Sequence, residues 1–250
     1  MFNLLFPDDC RICHQPLSEI ARYPVCSQCL RSPAPLESEY ACVACRTPFA
    51  TPYPLDGNGL CGLCRRGMTG FDGASSYGFY EGALRKLIHV YKYHGVETLA
   101  RPLSDFLAAA LPRDQRVDWI VPVPMHWWRK WKRGYNQSEL LARELSRRTG
   151  IPMVGALRRE RGTPPQAGLS DRERRQNMRG AFSVTESPRN RHVLLIDDVL
   201  TTGATASACG AALKQAGAER VLVLTVARVD RRFAVPGPPG RAISTIASGG

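Results

Sequence analysis

The chain has 250 residues, 44% of them hydrophobic, and a formal net charge of +12. That is enough for one sizeable core plus a small module. No apolar run is long enough to cross a bilayer, and the start, MFNLLFPDDC, lacks the basic and apolar regions of a secretory signal. We therefore expect a cytoplasmic protein with no membrane insertion. Residues 1–70 carry six basic and six acidic side chains, so the whole excess lies in residues 71–250, with 28 basic and 16 acidic. A basic domain suits anionic partners, either phosphorylated small molecules or nucleic acid.

Eight of the nine cysteines form four CxxC pairs: Cys10/Cys13, Cys26/Cys29, Cys42/Cys45 and Cys61/Cys64. The pairs are separated by 12, 12 and 15 residues. Two residues between cysteines let a tight knuckle aim both sulfurs at one metal, and two knuckles complete a tetrahedron with no open position. The spacing predicts two structural zinc sites, each worth on the order of 10 kcal/mol to a segment too short for a core of its own. Sequential pairing, first two pairs on one metal and last two on the other, is our expectation; interleaved cross-bracing is the alternative. With eight thiolates and two zinc ions the module would be acidic beside a basic neighbour, which would help the two dock.

A boundary is expected near Gly67 to Gly73, giving a module over 1–70, a main domain over 71–235 and a disordered tail over 236–250. Tyr77 to Tyr93 has helical spacing, with Leu84, Leu87, Ile88 and Tyr91 on one face. Arg101 to Ala110 reads as a second helix. Trp119 to Val123 reads as a buried strand running into a proline-broken loop. Trp127, Trp131 and Tyr135 recur every fourth residue, as a helix packing on its own core requires. The same stretch interleaves aromatics with Lys and Arg, the composition of a surface that stacks on single-stranded bases. Asn136 to Arg148 is a helix ended by Gly150 and Pro152. Residues 157–180 are rich in Arg, Gly and Pro and read as a mobile basic loop, a candidate lid over an anion. Val193 to Ile196 and Arg220 to Val226 are strands flanking a helix over Thr205 to Ala216. Alternating strands and helices predict a parallel α/β sheet covered on both faces.

The stretch VLLIDDVLTTGAT, Val193 to Thr205, carries the chemistry. Asp197 and Asp198 are placed at the carboxyl end of a strand, where open α/β sheets bind ligands. The turn that follows leads into a helix N-terminus, where free N–H groups and the helix dipole favour an anion. Gly203 permits close approach, and Thr201, Thr202 and Thr205 supply hydroxyls. There is no Lys after the glycine and no GxGxxG, so neither a Walker A loop nor a dinucleotide site is supported. Carboxylates would repel a bare phosphate but suit a sugar diol. A sugar 5′-phosphate satisfies both halves, whereas two Asp on Mg²⁺ would explain the acids and not the turn.

This stretch resembles the 5-phosphoribosyl-1-pyrophosphate (PRPP) signature of type I phosphoribosyltransferases. With YKYHG (91–95), VPVPMHWWRKWKRGYNQSELLA (121–142), QAGLSDRERRQNMRGAF (166–182) and the four CxxC pairs, the chain resembles the ComF family, competence-associated proteins with a zinc-binding module before a phosphoribosyltransferase-like domain. The resemblance implies a type I phosphoribosyltransferase-like parallel sheet with flanking helices, preceded by a double zinc ribbon. It implies that PRPP, with Mg²⁺, binds through Asp197, Asp198, Val199, Thr201, Thr202, Gly203, Ala204 and Thr205, with Arg133 and Lys92 as further anion contacts. It places the pyrophosphate loop after the Trp119–Val123 strand and a lid over 157–180, where Arg158, Arg172 and Arg174 would meet pyrophosphate. Three readings stay open: a transferase moving ribose 5-phosphate from PRPP to an unknown acceptor in DNA uptake, a PRPP- or single-stranded-DNA-binding component of that machinery, and a zinc module that docks a partner such as a competence helicase.

Overall fold

A computed structural model describes residues 9–17, 23–65, 70–125, 128, 131, 133–160 and 180–230. Arg172, Arg174, Trp127 and the tail from Pro236 lie outside them. In chain order the cysteine module contributes α1 (Ser27–Arg31), β1 (Tyr40–Ala41), β2 (Pro48–Phe49) and α2 (Gly62–Arg65). There follow β3 (Gly73–Phe79), α3 (Gly82–Tyr93), α4 (Ala100–Ala110), β4 (Trp119–Pro122) and α5 (Gln137–Thr149). The rest comprises β5 (Leu157–Arg159), β6 (Phe182–Val184), β7 (His192–Leu200), α6 (Ala204–Gln215) and β8 (Arg220–Arg228).

Four strands form one sheet in the order β3-β8-β7-β4, each pair parallel. The central strands HVLLIDDVL and RVLVLTVAR are nearly continuous apolar runs because both of their faces are covered. On one face α3, α4 and α5 pack Leu87, Leu103, Leu141 and Leu145 against Leu194 and Leu224. On the other, α6 and the β5–β6 ribbon set Leu213, Cys209, Leu157 and Phe182 against Leu195 and Val223. No helix among the described residues is long and apolar enough to cross a membrane.

Three elements differ from expectation. The stretch read as helical from Tyr77 is a strand as far as Phe79, and the helix starts at Gly82. The strand beyond Val193 does not stop at Ile196 but pairs with β8 as far as Leu200↔Arg228. Both acids therefore lie within β7, not at its end. The basic segment over 157–180 is also not wholly a loop. Leu157–Arg159 pairs antiparallel with Phe182–Val184, so its ends are pinned together at the domain surface.

The cysteine module does not hang from the sheet by a linker. Cys10, Ile12 and Val25 join the hydrophobic cluster under α3, while Cys42, Cys45 and Phe49 join the cluster on the opposite face. Between them, the Leu36 N–H donates to the Tyr77 carbonyl (2.6 Å) and the Tyr77 hydroxyl to the Pro33 carbonyl (3.1 Å). This segment covers β3, whose outer edge would otherwise offer unpaired N–H and C=O groups. At the carboxyl end of the neighbouring strand β8, the buried Arg228 guanidinium donates to the Cys45 carbonyl and to Thr47 Oγ1.

Candidate functional site

Asp197 and Asp198 are adjacent on β7 and meet different helices. Asp198 Oδ1 lies 2.9 Å from Nζ of Lys92 near the end of α3, and both side chains are largely buried. Asp197 Oδ1 accepts from Ser138 Oγ in the first turn of α5 (2.9 Å) and from the Asp198 N–H (2.9 Å). Burial, reinforced by the Asp198 charge, pushes the Asp197 carboxyl up to about 7, against the pull of Lys92 and its hydrogen bonds. For Lys92, burial alone would lower the ammonium, but the two aspartates outweigh it and hold the value above the ordinary lysine range. The result is a poised acid pair with one fixed cation.

The turn after β7 is built from Thr201, Thr202 and Gly203. Gly203 has φ +74, a left-handed conformation that a side chain would strain. Thr202 is buried, and its Oγ1 accepts the Ala204 N–H (3.3 Å). Ser207 N–H closes the first helical turn on the Gly203 carbonyl (2.7 Å), and Thr201 is exposed beside it. Val199 and Ala204 are buried, while Thr205 is half-buried. The acids, the turn and the helix start thus form one strand–turn–helix unit.

The loop after β4 fixes the rest. Asn136 caps α5, accepting the Ser138 N–H (3.2 Å), and its Nδ2 donates to the Val123 carbonyl at the end of β4 (3.1 Å). The Tyr135 hydroxyl donates to the Tyr91 carbonyl, and the Tyr91 hydroxyl to the Gln137 carbonyl (2.8 Å). These reciprocal bonds lock α3 to α5 and so bring Lys92 and Ser138 to the two acids. Ser138 was not singled out from sequence, Tyr135 was read only as core packing and Asn136 only as a helix start; an Asn opening a helix directly after a strand and its loop was the available signal. Arg133 is held by Gln137 Oε1 (3.1 Å) and stacks on Tyr93, its guanidinium 4.8 Å from the ring centre. Arg158 pairs with Glu160 at the exposed ribbon (3.0 Å). The structure therefore joins Lys92 to the acids and leaves Arg133 and Arg158 with other partners.

The aromatic repeat splits. Tyr135 is buried, but Trp131 is 80% exposed, Trp128 51% and Tyr93 61%. Gly134, with φ +85, breaks the helical path, so Tyr135 turns inward and Trp131 does not. The expectation of core packing fails for Trp131.

The cysteines gather in chain order: Cys10, Cys13, Cys26 and Cys29 in one group, and Cys42, Cys45, Cys61 and Cys64 in the other, with all sulfurs of a group within 4.8 Å. A tetrahedron with metal–sulfur bonds of about 2.3 Å has edges of about 3.8 Å. The Cys13–Cys26, Cys42–Cys64 and Cys45–Cys61 sulfurs stand 3.8, 3.7 and 3.6 Å apart. Backbone N–H groups of Cys26, Cys29 and Cys61 point at sulfurs of Cys10, Cys26 and Cys42 at 3.3, 3.4 and 3.3 Å, as thiolate knuckles require. Hydrogen bonds from Cys42, Cys61 and Cys64 hold the Cys45 thiol far below its ordinary value, while sharing with Cys42, Cys45 and Cys61 pushes Cys64 up. Four sulfurs that cannot all ionise alone fit a divalent cation at each centre.

Residues 135–234 match the phosphoribosyl transferase domain model. Competence protein F of Haemophilus influenzae is 35% identical over 67% of this chain and 78% of its own length. DNA utilization protein YhgH of Escherichia coli (strain K12) is 32% identical over 90% of this chain and 99% of its own, and the Salmonella typhimurium protein of that name is 30% identical over the same shares. The chain belongs to the ComF family. In this ComF-family chain the matched domain holds the acids, the turn and the first turn of α5, whereas Lys92 and both cysteine centres fall before it. The site is thus completed by residues from outside the matched segment.

Proposed function

We propose that this protein binds PRPP, with the ribose diol on Asp197 and Asp198 and the 5′-phosphate in the Thr201–Thr205 turn. One observation carries the reading: a pair of carboxylates lies in the last half of β7, whose end leads through a turn with a left-handed glycine into a helix, so diol acceptors and anion donors are spaced along one strand–turn–helix unit. Asp197 and Asp198 accept from hydroxyls when ionised, and Lys92 Nζ stands 2.9 Å from Asp198 Oδ1. Mg²⁺ bound with the substrate would neutralise pyrophosphate charge. A developing cation at the anomeric carbon would be stabilised by the carboxylates, and the basic 157–180 segment would exclude water. Two zinc ions in the cysteine centres are structural, since four thiolates leave no open position. By the names of its relatives, the protein serves DNA uptake or utilisation.

Calorimetry with PRPP and Mg²⁺ tests this reading, alongside release of pyrophosphate. Binding that disappears in the Asp197→Ala/Asp198→Ala double variant, with folding retained, supports it; affinity equal to that of the unaltered protein overturns it. A second reading, single-stranded-DNA binding, is favoured by the exposure of Trp131, Trp128 and Tyr93 around Arg133. Tryptophan quenching by oligonucleotide that weakens steeply with salt would support it.

A further inference from the structure

Arg228 ends β8 and is only 5% exposed. Its guanidinium reaches out of the sheet into the second cysteine centre. One Nη donates to the Cys45 carbonyl, and the other donates to Thr47 Oγ1 and lies 3.8 Å from Cys45 Sγ. Thr47 Oγ1 is itself 2.9 Å from that sulfur. The backbone of the same residue faces the other way. Arg228 pairs with Leu200 in the sheet register, and the Val229 N–H donates to the Leu200 carbonyl (3.0 Å). Leu200 immediately precedes the Thr201–Gly203 turn. The Arg228 carbonyl also accepts from Tyr80 N–H (2.7 Å), so the strand end is held on both flanks.

We propose that Arg228 is a positioning residue through which the second metal centre holds the phosphate turn in place. The argument is one of charge and connectivity. A buried guanidinium needs a compensating anion. No carboxylate meets it among the described contacts; the group it meets is a cysteine of a four-thiolate centre, which stays net anionic with a divalent cation bound. Hydrogen bonds to ligating residues orient such centres and are felt in both directions. Among the described residues the first centre has no comparable link. Its cysteines pack under α3 through apolar contacts with Ile12 and Val25, on the opposite face of the sheet. The two centres are therefore unequal: metal at the second, and not at the first, sets the order of residues 200–205.

The inference rests on the PRPP reading only for its affinity measurement; amide exchange at the turn tests it independently. Full-length protein is compared with Arg228→Leu, Arg228→Lys and Cys13→Ser, each with its zinc content measured. In Arg228→Leu, amide exchange at residues 200–205 should quicken about tenfold or more, the scale on which hydrogen-bond partners of metal ligands act, while exchange in α4 and α5 stays near that of the unaltered protein. PRPP affinity should fall on the same scale. Arg228→Lys should recover part of both, and Cys13→Ser should lose zinc at the first centre with the turn unchanged within about twofold. Should Arg228→Leu not fold, Thr47→Val, which removes one acceptor, takes its place with a smaller effect in the same direction. Unchanged exchange at the turn in either folded variant overturns the proposal. So does a Cys13→Ser protein whose turn loosens as much. If the unaltered protein fails to bind PRPP, the functional reading falls and the exchange data alone decide the coupling.

Discussion

Replacing Asp197 with Asn should make the ligand-free protein more stable, and increasingly so as pH rises. The Asp197 carboxyl is raised from 3.8 to about 7, first by burial and then by the Asp198 charge. Below 3.8 both folded and unfolded chains hold the proton, and the group contributes nothing. Between 3.8 and about 7 only the folded chain holds it, so each increment of pH favours unfolding. Above about 7 the loss is complete. A gap of about three, at about 1.4 kcal/mol for each, gives roughly 4 kcal/mol. Asp197 keeps an edge open to solvent, and screening there brings this to about 2 kcal/mol. Asn retains an Oδ1 to accept from Ser138 Oγ and the Asp198 N–H, so the local hydrogen bonds survive. Urea denaturation of zinc-loaded protein should be run between pH about 5.5 and 8.5, where thiolate centres stay assembled. The variant's advantage should grow to near pH 7 and then level off, while PRPP affinity collapses. A variant that is less stable at pH 8, or an advantage that does not change with pH, would refute the assigned electrostatics.

Lys92→Met should have the opposite effect on stability. It leaves the largely buried Asp198 without its cation and should cost about 3 kcal/mol in the same denaturation assay, with PRPP binding lost. Gly203→Ala forces a side chain onto φ +74 and should cost about 1 kcal/mol or more in the melt, with weaker phosphate-ligand binding by calorimetry. Trp131→Ala should leave stability within about 0.5 kcal/mol because the ring is exposed, yet weaken oligonucleotide binding several-fold in a fluorescence titration. Removing metal with a strong chelator should unfold the cysteine module, and elemental analysis beforehand should return about two zinc atoms per chain.

The sequence displays the site's chemistry more clearly than its supports. The apolar face of α3, with Leu84, Leu87, Ile88 and Tyr91 buried, follows from spacing alone. The grouping of cysteines by adjacent pairs is the expected one of the two arrangements that spacing leaves open, and the structure decides between them. The strand over Gly73–Phe79 does not follow from spacing, because its inward positions are Ala74, Ser76 and Gly78, too small and polar to register as a core face. They are small because the cysteine module and Pro33–Leu36 lie close against them. The extension of β7 through two acids runs against composition; pairing with β8 sustains it, and that information sits in a segment more than twenty residues away. Ser138 was invisible for a related reason. Its role depends on α5 starting within hydrogen-bond reach of Asp197, a tertiary fact with no local mark. Trp131 misled because a period of four assumes an unbroken helix, and Gly134 breaks it.

The placement of β3 has a bearing on how the chain is made. It emerges early, yet among the described strands its neighbour in the sheet is β8, nearly 150 positions later in the chain. While translation proceeds, β3 must wait as an unfinished ribbon, and such delayed pairing invites association with other nascent chains. The metal-bearing segment that precedes it is already synthesised by then and can lie along it. The chain order thus puts a segment that shields the β3 edge ahead of the strand that must wait longest for its partner.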